Sequence, residues 1–445
     1  MNTFPIEFVR EIEAMLGASA PAFFASMDEP AALALRINAL KDAAEAAAQP
    51  YLETKVSWAR DGYYLRPETR PGASIAHAAG AFYLQEASAM VSAAALDPQP
   101  GERILDLCAA PGGKSTQTAS AMRGEGLLVC NEPEFSRAKV LAANLERMGV
   151  RNSCVVCAYP DALAAKWQGF FDAVLCDAPC SGEGMFRRDP AARDEWNPAS
   201  PSGCAKRQAE ILDSAARLVR PGGRLIYSTC TFNRAENEGT ITAFLGRHSE
   251  FSPEDFSLPG LGASQNGMLR IFPHLVRGDG HFCARLRKAG VPEEASAVPS
   301  ARLEKDDLRL IAQLEREVCV LPDALKRRTE RAGDVLISVS EARPDLRGLR
   351  VISSGVPLLR IGKNYIEPAH PLAMALDPSD ARQTFALDDT QARRYLAGEA
   401  LECDERLKGW TLVTWNDLPL GWGKASNGQM KNHLPKGLRL SLHNN

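Results

Sequence analysis

Long apolar runs are missing from this sequence: no stretch nears the ~18 consecutive apolar residues that a bilayer-spanning helix needs, so no membrane insertion is expected. The opening Met1-Asn2-Thr3-Phe4-Pro5-Ile6-Glu7 carries an acid and a proline and no long apolar core, and does not read as a secretory signal. An excess of one charge is missing as well. Lys and Arg number 52 against 55 Asp and Glu, a formal net charge of −3, which excludes binding by bulk charge alone but leaves room for a local basic stripe. Paired metal-ligand cysteines are also missing. The one Cys-x-x-Cys, Cys154-Val-Val-Cys157, sits in a β-branched run that reads as a buried strand, has no second pair at suitable spacing, and gives no reason to expect a metal. Eleven cysteines, scattered and odd in number, look like the reduced thiols of a cytoplasmic protein rather than a disulfide framework.

What is present is a folded chain of 445 residues with 45% hydrophobic and 24% charged content, long enough for more than one domain. Residues 1–72 read as a small α/β unit: a helix over Phe8–Leu16, an alternating strand within Leu33–Leu40, an alanine-rich helix and a strand near Tyr63–Leu65. Residues 73–289 alternate strands and helices, the pattern of a parallel α/β sheet. The expected strands are Arg103–Cys108, Leu127–Asn131, Ser153–Val156, Asp172–Asp177 and Arg224–Thr229, with a helix over Ser136–Met148 capped by Ser136 and ended by Gly149. Met268–Phe272 and Phe282–Leu286 flank Gly278-Asp-Gly280 and predict a hairpin at one edge. Ala289–Ala301 places a linker at residues 290–302, and residues 303–445 form a C-terminal region opening on a charged helix, Leu303–Cys319. From Leu418 onward the sequence has Lys424, Lys431, Lys436 and Arg439, no acid, and Trp422 among them. That mixture suits RNA contact, against the plainer reading of a solvated hairpin.

The first strand of the sheet runs into Asp106-Leu-Cys108-Ala109-Ala110-Pro111-Gly112-Gly113-Lys114-Ser115. Small residues between a strand and a helix let a ligand reach backbone N–H groups at the helix N-terminus. A Walker loop would need glycine where Cys108 stands, and the dinucleotide pattern G-x-G-x-x-G is absent. A methyltransferase cofactor loop fits better, because Glu132 near the end of the second strand can accept from both ribose hydroxyls. A Gly-rich turn of no special function remains the alternative on this loop alone.

Two cysteines follow strand ends. One is in Asp177-Ala-Pro179-Cys180-Ser-Gly182, the other in Ser228-Thr229-Cys230-Thr231. Ligands of doubly wound sheets bind outside the carboxyl ends of the strands, where the first, fourth and fifth strands are neighbours, so the loop 108–114, Asp177, Cys180 and Cys230 should converge. A thiolate added to carbon 6 of cytosine makes carbon 5 nucleophilic enough to take a methyl group. Cys230 suits that attack, Asp177 suits a hydrogen bond to the ring's polar edge, and Cys180 suits removal of the carbon-5 proton. The other nine cysteines, Cys108, Cys130, Cys154, Cys157, Cys176, Cys204, Cys283, Cys319 and Cys403, are expected to be buried packing residues.

Together these strings, with Tyr83-Leu-Gln85-Glu86-Ala-Ser88, Leu35-Arg36-Ile-Asn38 and Arg270-Ile-Phe-Pro273-His274…Gly280-His281-Phe282, resemble the Nop/Sun family of RNA cytosine-C5 methyltransferases over roughly residues 30–289. The resemblance implies a Rossmann-like class I fold dependent on S-adenosyl-L-methionine, with a small N-terminal α/β unit. It implies Cys230 as nucleophile, Cys180 as the release residue, and a cofactor pocket lined by Cys108 to Lys114, Glu132, Asp161 and Asp177. Asp161, in Pro160-Asp161-Ala162, could equally be a solvated loop acid. The string from Gly421 to Arg439 resembles the tail domain of bacterial small-subunit rRNA methyltransferases, a PUA-like RNA-binding module. It implies 16S rRNA or the small ribosomal subunit as partner, and a cytoplasmic monomer is expected. Arg187 and Arg188 could meet RNA phosphates or be a solvated pair. Three rivals stay open: a tRNA methyltransferase, a DNA enzyme in which Cys180 would be the nucleophile, and a non-catalytic ribosome-assembly protein.

Overall fold

A computed structural model describes residues 4–291, 303–363 and 365–440, and from residue 292 on the expected linker lies outside them. The N-terminal part opens on helices Ile6–Leu16 and Ala20–Asp28. Phe8 and Ile12 lie one turn apart on the first helix, and with Phe23 and Met27 they pack against Phe186, Trp196, Phe232 and Phe272 of the central part. Strands β1 (Ala34–Ile37), β2 (Leu52–Lys55), β3 (Gly62–Leu65) and β4 (Phe82–Leu84) form an antiparallel sheet in the order β2-β3-β1-β4. Pairing of β4 with β1 carries this sheet past the expected boundary at residue 72, because a three-residue strand gives almost no periodic signal.

The central sheet holds β5 (Arg103–Asp106), β6 (Leu127–Asn131), β7 (Ser153–Cys157), β8 (Phe171–Asp177) and β9 (Val219–Thr229), all paired in parallel. Their order, β9-β8-β5-β6-β7, makes the first, fourth and fifth neighbours. The strands are near-continuous apolar runs, as in Leu127-Leu-Val-Cys130, because helices cover both faces. Each fully buried aliphatic side chain contributes about 1.5–3 kcal/mol. Met268–Ile271 and His281–Lys288 pair as the expected hairpin, with His281–Lys288 antiparallel to β9. At the far edge Arg350–Ser353, from beyond the linker, pairs antiparallel with β7.

The helix after β6 spans Phe135–Arg147 and buries Ala138, Leu141 and Leu145. Its cap is Glu134, whose carboxylate accepts from Ser136 N and Arg137 N, rather than Ser136, whose hydroxyl donates to Glu134 at 2.6 Å. C-terminal of the linker, helix Lys305–Glu317 leads to a four-stranded sheet and then a five-stranded sheet centred on Gly409–Trp415 and Leu418–Ser426.

One buried cation ties the N-terminal sheet to the central part. Arg36 on β1, 1% exposed, donates to Gln85 Oε1 (3.2 Å), Thr116 Oγ1 (2.6 Å) and Gly113 O (3.3 Å). Gly113 and Thr116 open the helix that follows β5, so an N-terminal residue braces the candidate cofactor loop. Replacing Arg36 with Met removes all three bonds and is expected to lower unfolding stability by about 1–3 kcal/mol and to weaken ligand binding at that loop, read by denaturant melts and calorimetry.

Candidate active site

The loop after β5 is held from below by the sheet. Ala109 N donates to Asn131 O (2.9 Å), and Asn131 Nδ2 returns a bond to Leu107 O (3.0 Å). Gly112 has φ +114°, a conformation an L side chain rarely adopts, and it hands the chain to helix Gly113–Met122. A Cβ on Gly113 would lie 3.3 Å from Tyr83 Cε1, so the Tyr83-Leu-Gln85 string backs the turn. The first N–H groups of such a helix lack partners within it and can take a polar or anionic ligand group. Ser115 Oγ donates to Asp106 Oδ2 (2.6 Å), and burial pushes the Asp106 carboxyl up to about 7.

Two carboxylates border this turn. Glu132, directly after β6, is 3% exposed, accepts Glu134 N (3.1 Å) and pairs with Arg137 (3.2 Å), whose Nη2 also donates to Ala110 O. Asp177 ends β8 and pairs with Lys114 Nζ at 2.7 Å while accepting Ser228 Oγ at 2.8 Å. Burial pushes its carboxyl up, but the Lys114 charge and these bonds outweigh it and hold it below the usual range. His281 stands behind, 3.8 Å from Asp177 Oδ1 and 3.0 Å from Ser92 Oγ. Burial and the Lys114 charge push His281 down to about 3, so it is a neutral ring at pH 7 and Lys114 is the counter-ion. A buried acceptor carboxylate at the second strand, a glycine cradle and a helix N-terminus fit a ligand carrying ribose hydroxyls and a charged amino-acid end.

The cysteines meet as expected. Cys180 Sγ and Cys230 Sγ are 3.3 Å apart, both half-buried, although they stand 50 positions apart in the chain. The contact with Cys230 and then burial push the Cys180 thiol well up, so it stays protonated and can donate S–H toward Cys230. Glu183 accepts Phe232 N (2.8 Å) and Asn233 N (2.9 Å), and Gly184 N donates to Cys230 O (2.8 Å).

Other expectations fare differently. Asp161 lies exposed in the first turn of helix Pro160–Lys166, next to Tyr159, which is 72% exposed. Arg187 is committed inside the protein: 6% exposed, it pairs with Asp279 and donates to Ser26 O (3.1 Å) and Gly278 O (2.8 Å). Arg188 shares Asp279 and donates to Ala32 O (2.6 Å). Both clamp loops because a buried carboxylate claims their charge, which corrects the expectation of phosphate contact. Lys424 and Lys431 are exposed and directly opposite in the Leu418–Ser426/Gln429–Asn432 pairing, with Lys436 and Arg439 exposed nearby in sequence. Trp422 is not their surface companion. It is 1% exposed and donates Nε1–H to Ala369 O (2.9 Å), while Lys424 lies over Trp410. Of the nine cysteines expected to be buried, Cys108, Cys157, Cys204 and Cys403 are half-buried, standing at strand ends or on less covered surfaces. His281, Ser228 and Ser92 were overlooked as site residues, although His281 and Ser228 lie inside strings already singled out.

A parallel sheet of this order, a glycine cradle after its first strand and a buried acid after its second define a class I S-adenosylmethionine-dependent methyltransferase. Residues 93–287 match the model of the 16S rRNA methyltransferase RsmB/F family, and 4–87 that of the N-terminal domain of 16S rRNA methyltransferase RsmF. Residues 315–376 match the RsmF rRNA methyltransferase first C-terminal domain, and 382–440 the methyltransferase RsmF PUA domain. The chain is 34% identical to ribosomal RNA small subunit methyltransferase F of Enterobacter sp. (strain 638), covering 98% of this chain and 96% of that one. The counterpart of Serratia proteamaculans (strain 568) matches with the same identity and coverage. This chain therefore belongs to the ribosomal RNA small subunit methyltransferase F family. A methyltransferase homolog protein from Pyrococcus horikoshii is similar in structure, with TM-score 0.55 and 27% identity over 64% of this chain and 95% of that one. NSun6 from the same organism, solved with SFG, shares the fold at TM-score 0.57 and 21% identity, covering 65% of this chain and 99% of that one.

A Cβ on Gly184 would lie 2.7 Å from Cys230 O and 3.2 Å from Asp279 O. Gly184→Ala must therefore shift the backbone under Cys230, and is expected to lower kcat about 100-fold while S-adenosylmethionine binding, followed by calorimetry, is kept.

Proposed function

We propose that this methyltransferase forms 5-methylcytosine in small-subunit rRNA through a covalent bond between Cys230 and the base, released with help from Cys180. The observation that carries the reading is the pair of sulfurs 3.3 Å apart beside the Lys114–Asp177 ion pair. S-adenosylmethionine supplies an electrophilic methyl group when bound, and residues Cys108 to Lys114, Glu132, Asp161 and Asp177 would hold it. Cys230 Sγ adds as thiolate to carbon 6, and the displaced ring electrons make carbon 5 the nucleophile. Asp177 accepts from the polar edge of the base, its charge kept by Lys114. Once Cys230 is bonded to carbon 6, Cys180 gives its proton to solvent and is left as the base. The carbon-5 proton then passes to Cys180 Sγ, the C5–H electron pair restores the C5–C6 double bond, and Cys230 leaves as thiolate.

The domain reading goes with this proposal: a catalytic unit within residues 73–289, between the N-terminal unit and a C-terminal PUA-like region. The exposed Lys424, Lys431, Lys436 and Arg439 would meet RNA phosphates there. Two lysines directly opposite across strands repel each other, a cost that a bound phosphate removes. A monomer acting in the cytoplasm completes the reading.

The test mixes Cys180→Ala protein with S-adenosylmethionine and bacterial small-subunit rRNA, and runs the product on a denaturing gel. A protein–RNA adduct that disappears in the Cys180→Ala/Cys230→Ala double variant is expected, and Cys230→Ala alone is expected to abolish methylation. An adduct with tRNA or DNA but none with rRNA overturns the substrate. Full activity of Cys230→Ala overturns the chemistry.

A further inference from the structure

A carboxylate outside the expected site lies between the two cysteine loops. Glu236 is 0% exposed, in the π-helical turn Ala235–Gly239 that follows the Cys230 loop. Its oxygens accept four donors: Ser181 N (3.0 Å), Ser181 Oγ, Gln208 Nε2 (2.7 Å) and Asn233 Nδ2 (2.7 Å). Gln208 Nε2 donates at the same time to Pro179 O (3.0 Å). Both neighbours of Cys180 are thus tied to one carboxylate, Ser181 directly and Pro179 through Gln208.

The same turn is tied to the Cys230 side. Tyr227 OH donates to Glu236 O (2.6 Å), Thr229 Oγ1 to Asn237 Oδ1 (2.6 Å), and Asn237 Nδ2 to Thr231 O (2.9 Å). Ser181 Oγ and Thr231 Oγ1 are 2.9 Å apart, a direct cross-link between the loops. Every residue flanking the two cysteines therefore leads back to residues 236 and 237 within one or two hydrogen bonds.

We infer that Glu236 is a positioning residue that holds Cys180 at its working distance from Cys230, so that its loss stalls release of the methylated base rather than its capture. The inference rests on the release role proposed for Cys180. Cys230 directly follows a strand paired on both sides up to Ser228, and its own carbonyl accepts Gly184 N (2.8 Å), so the attacking thiol keeps its place when Glu236 is removed. The Cys180 loop leaves its sheet after one further ladder bond, Ala178 N to Ser228 O (2.9 Å), and past the cysteine Glu236 accepts both the N–H and the hydroxyl of Ser181. Glutamine is a poor replacement, because all four partners donate. Asn233 Oδ1 is engaged by Glu236 N (2.9 Å) and Gln208 Nε2 by Pro179 O, so neither amide is free to turn and offer an acceptor to a new NH2 group.

The experiment uses the full-length chain with S-adenosylmethionine and bacterial small-subunit rRNA, and compares Glu236→Ala, Glu236→Gln and the milder Ser181→Ala with Cys180→Ala. Steady-state rates, the denaturing gel, thermal melting and cofactor binding are read for each. Both Glu236 variants are expected to lose about 100-fold in kcat, keep the KM for RNA within about threefold, and accumulate the Cys230–RNA adduct. Ser181→Ala should shift the same way by less. A folded, cofactor-binding Glu236 variant that releases product like the wild type, or that slows without adduct, overturns the inference. If neither Glu236 variant folds, wild-type release by Ser181→Ala overturns it. If Cys180→Ala traps no adduct, the release reading itself fails and the inference falls with it. If Cys180→Ala traps adduct and the Glu236 variants do not, only the positioning role is lost.

Discussion

The ion pair between Lys114 and Asp177 is the joint on which the site depends. Lys114 opens the helix after β5 and Asp177 closes β8, so their 2.7 Å contact pins the glycine cradle to the strand that leads into Cys180. Both charges are largely withdrawn from water, where either alone would be costly. Together they keep a carboxylate ionised at the mouth of a crevice, with the neutral His281 and the Ser228 hydroxyl completing its shell. A ligand bound there meets a charge already oriented, which needs no reorganisation when the reaction begins.

Around this joint, acids do most of the positioning. Glu183 gathers the backbone N–H groups of Phe232 and Asn233, Asp279 holds Arg187 and Arg188, and Arg270 donates to Phe232 O (2.6 Å) while pairing with Glu238. Loops at strand ends have many unpaired backbone groups, and buried carboxylates supply acceptors to several of them at once. A near-neutral chain can therefore contain a strongly charged interior at its active end. Net charge is uninformative about it because the charges cancel locally.

The parallel sheet, its strand order and the meeting of Cys108 to Lys114, Asp177, Cys180 and Cys230 were legible because each rests on an apolar run or a motif at a strand end. What was not legible depended on partners far away in the chain. Arg187 and Arg188 look free until Asp279, about 90 residues on, claims them. Trp422 looks like a surface aromatic among lysines until its indole is found bonded to Ala369 O under the sheet. The helix cap moved from Ser136 to Glu134 because a carboxylate reached both free N–H groups, a choice that local preference for serine does not reveal. Cys108, Cys157 and Cys403 failed as buried residues because small apolar side chains at strand ends are only partly covered, and Cys204 because it lies on a partly covered face of helix Ser200–Leu218.

The strand Arg350–Ser353 also bears on how the chain comes off the ribosome. Its partner β7 ends at Cys157, and the register joins Arg350 to that residue. Translation at about 5–20 residues per second leaves β7 without this neighbour for roughly 10–40 s after it has emerged. During that interval the catalytic sheet shows an open, apolar edge, the kind that pairs with other nascent chains. A chain ending after the catalytic sequence would keep that edge permanently, so the strand Arg350–Ser353 is an edge cover that arrives late in synthesis.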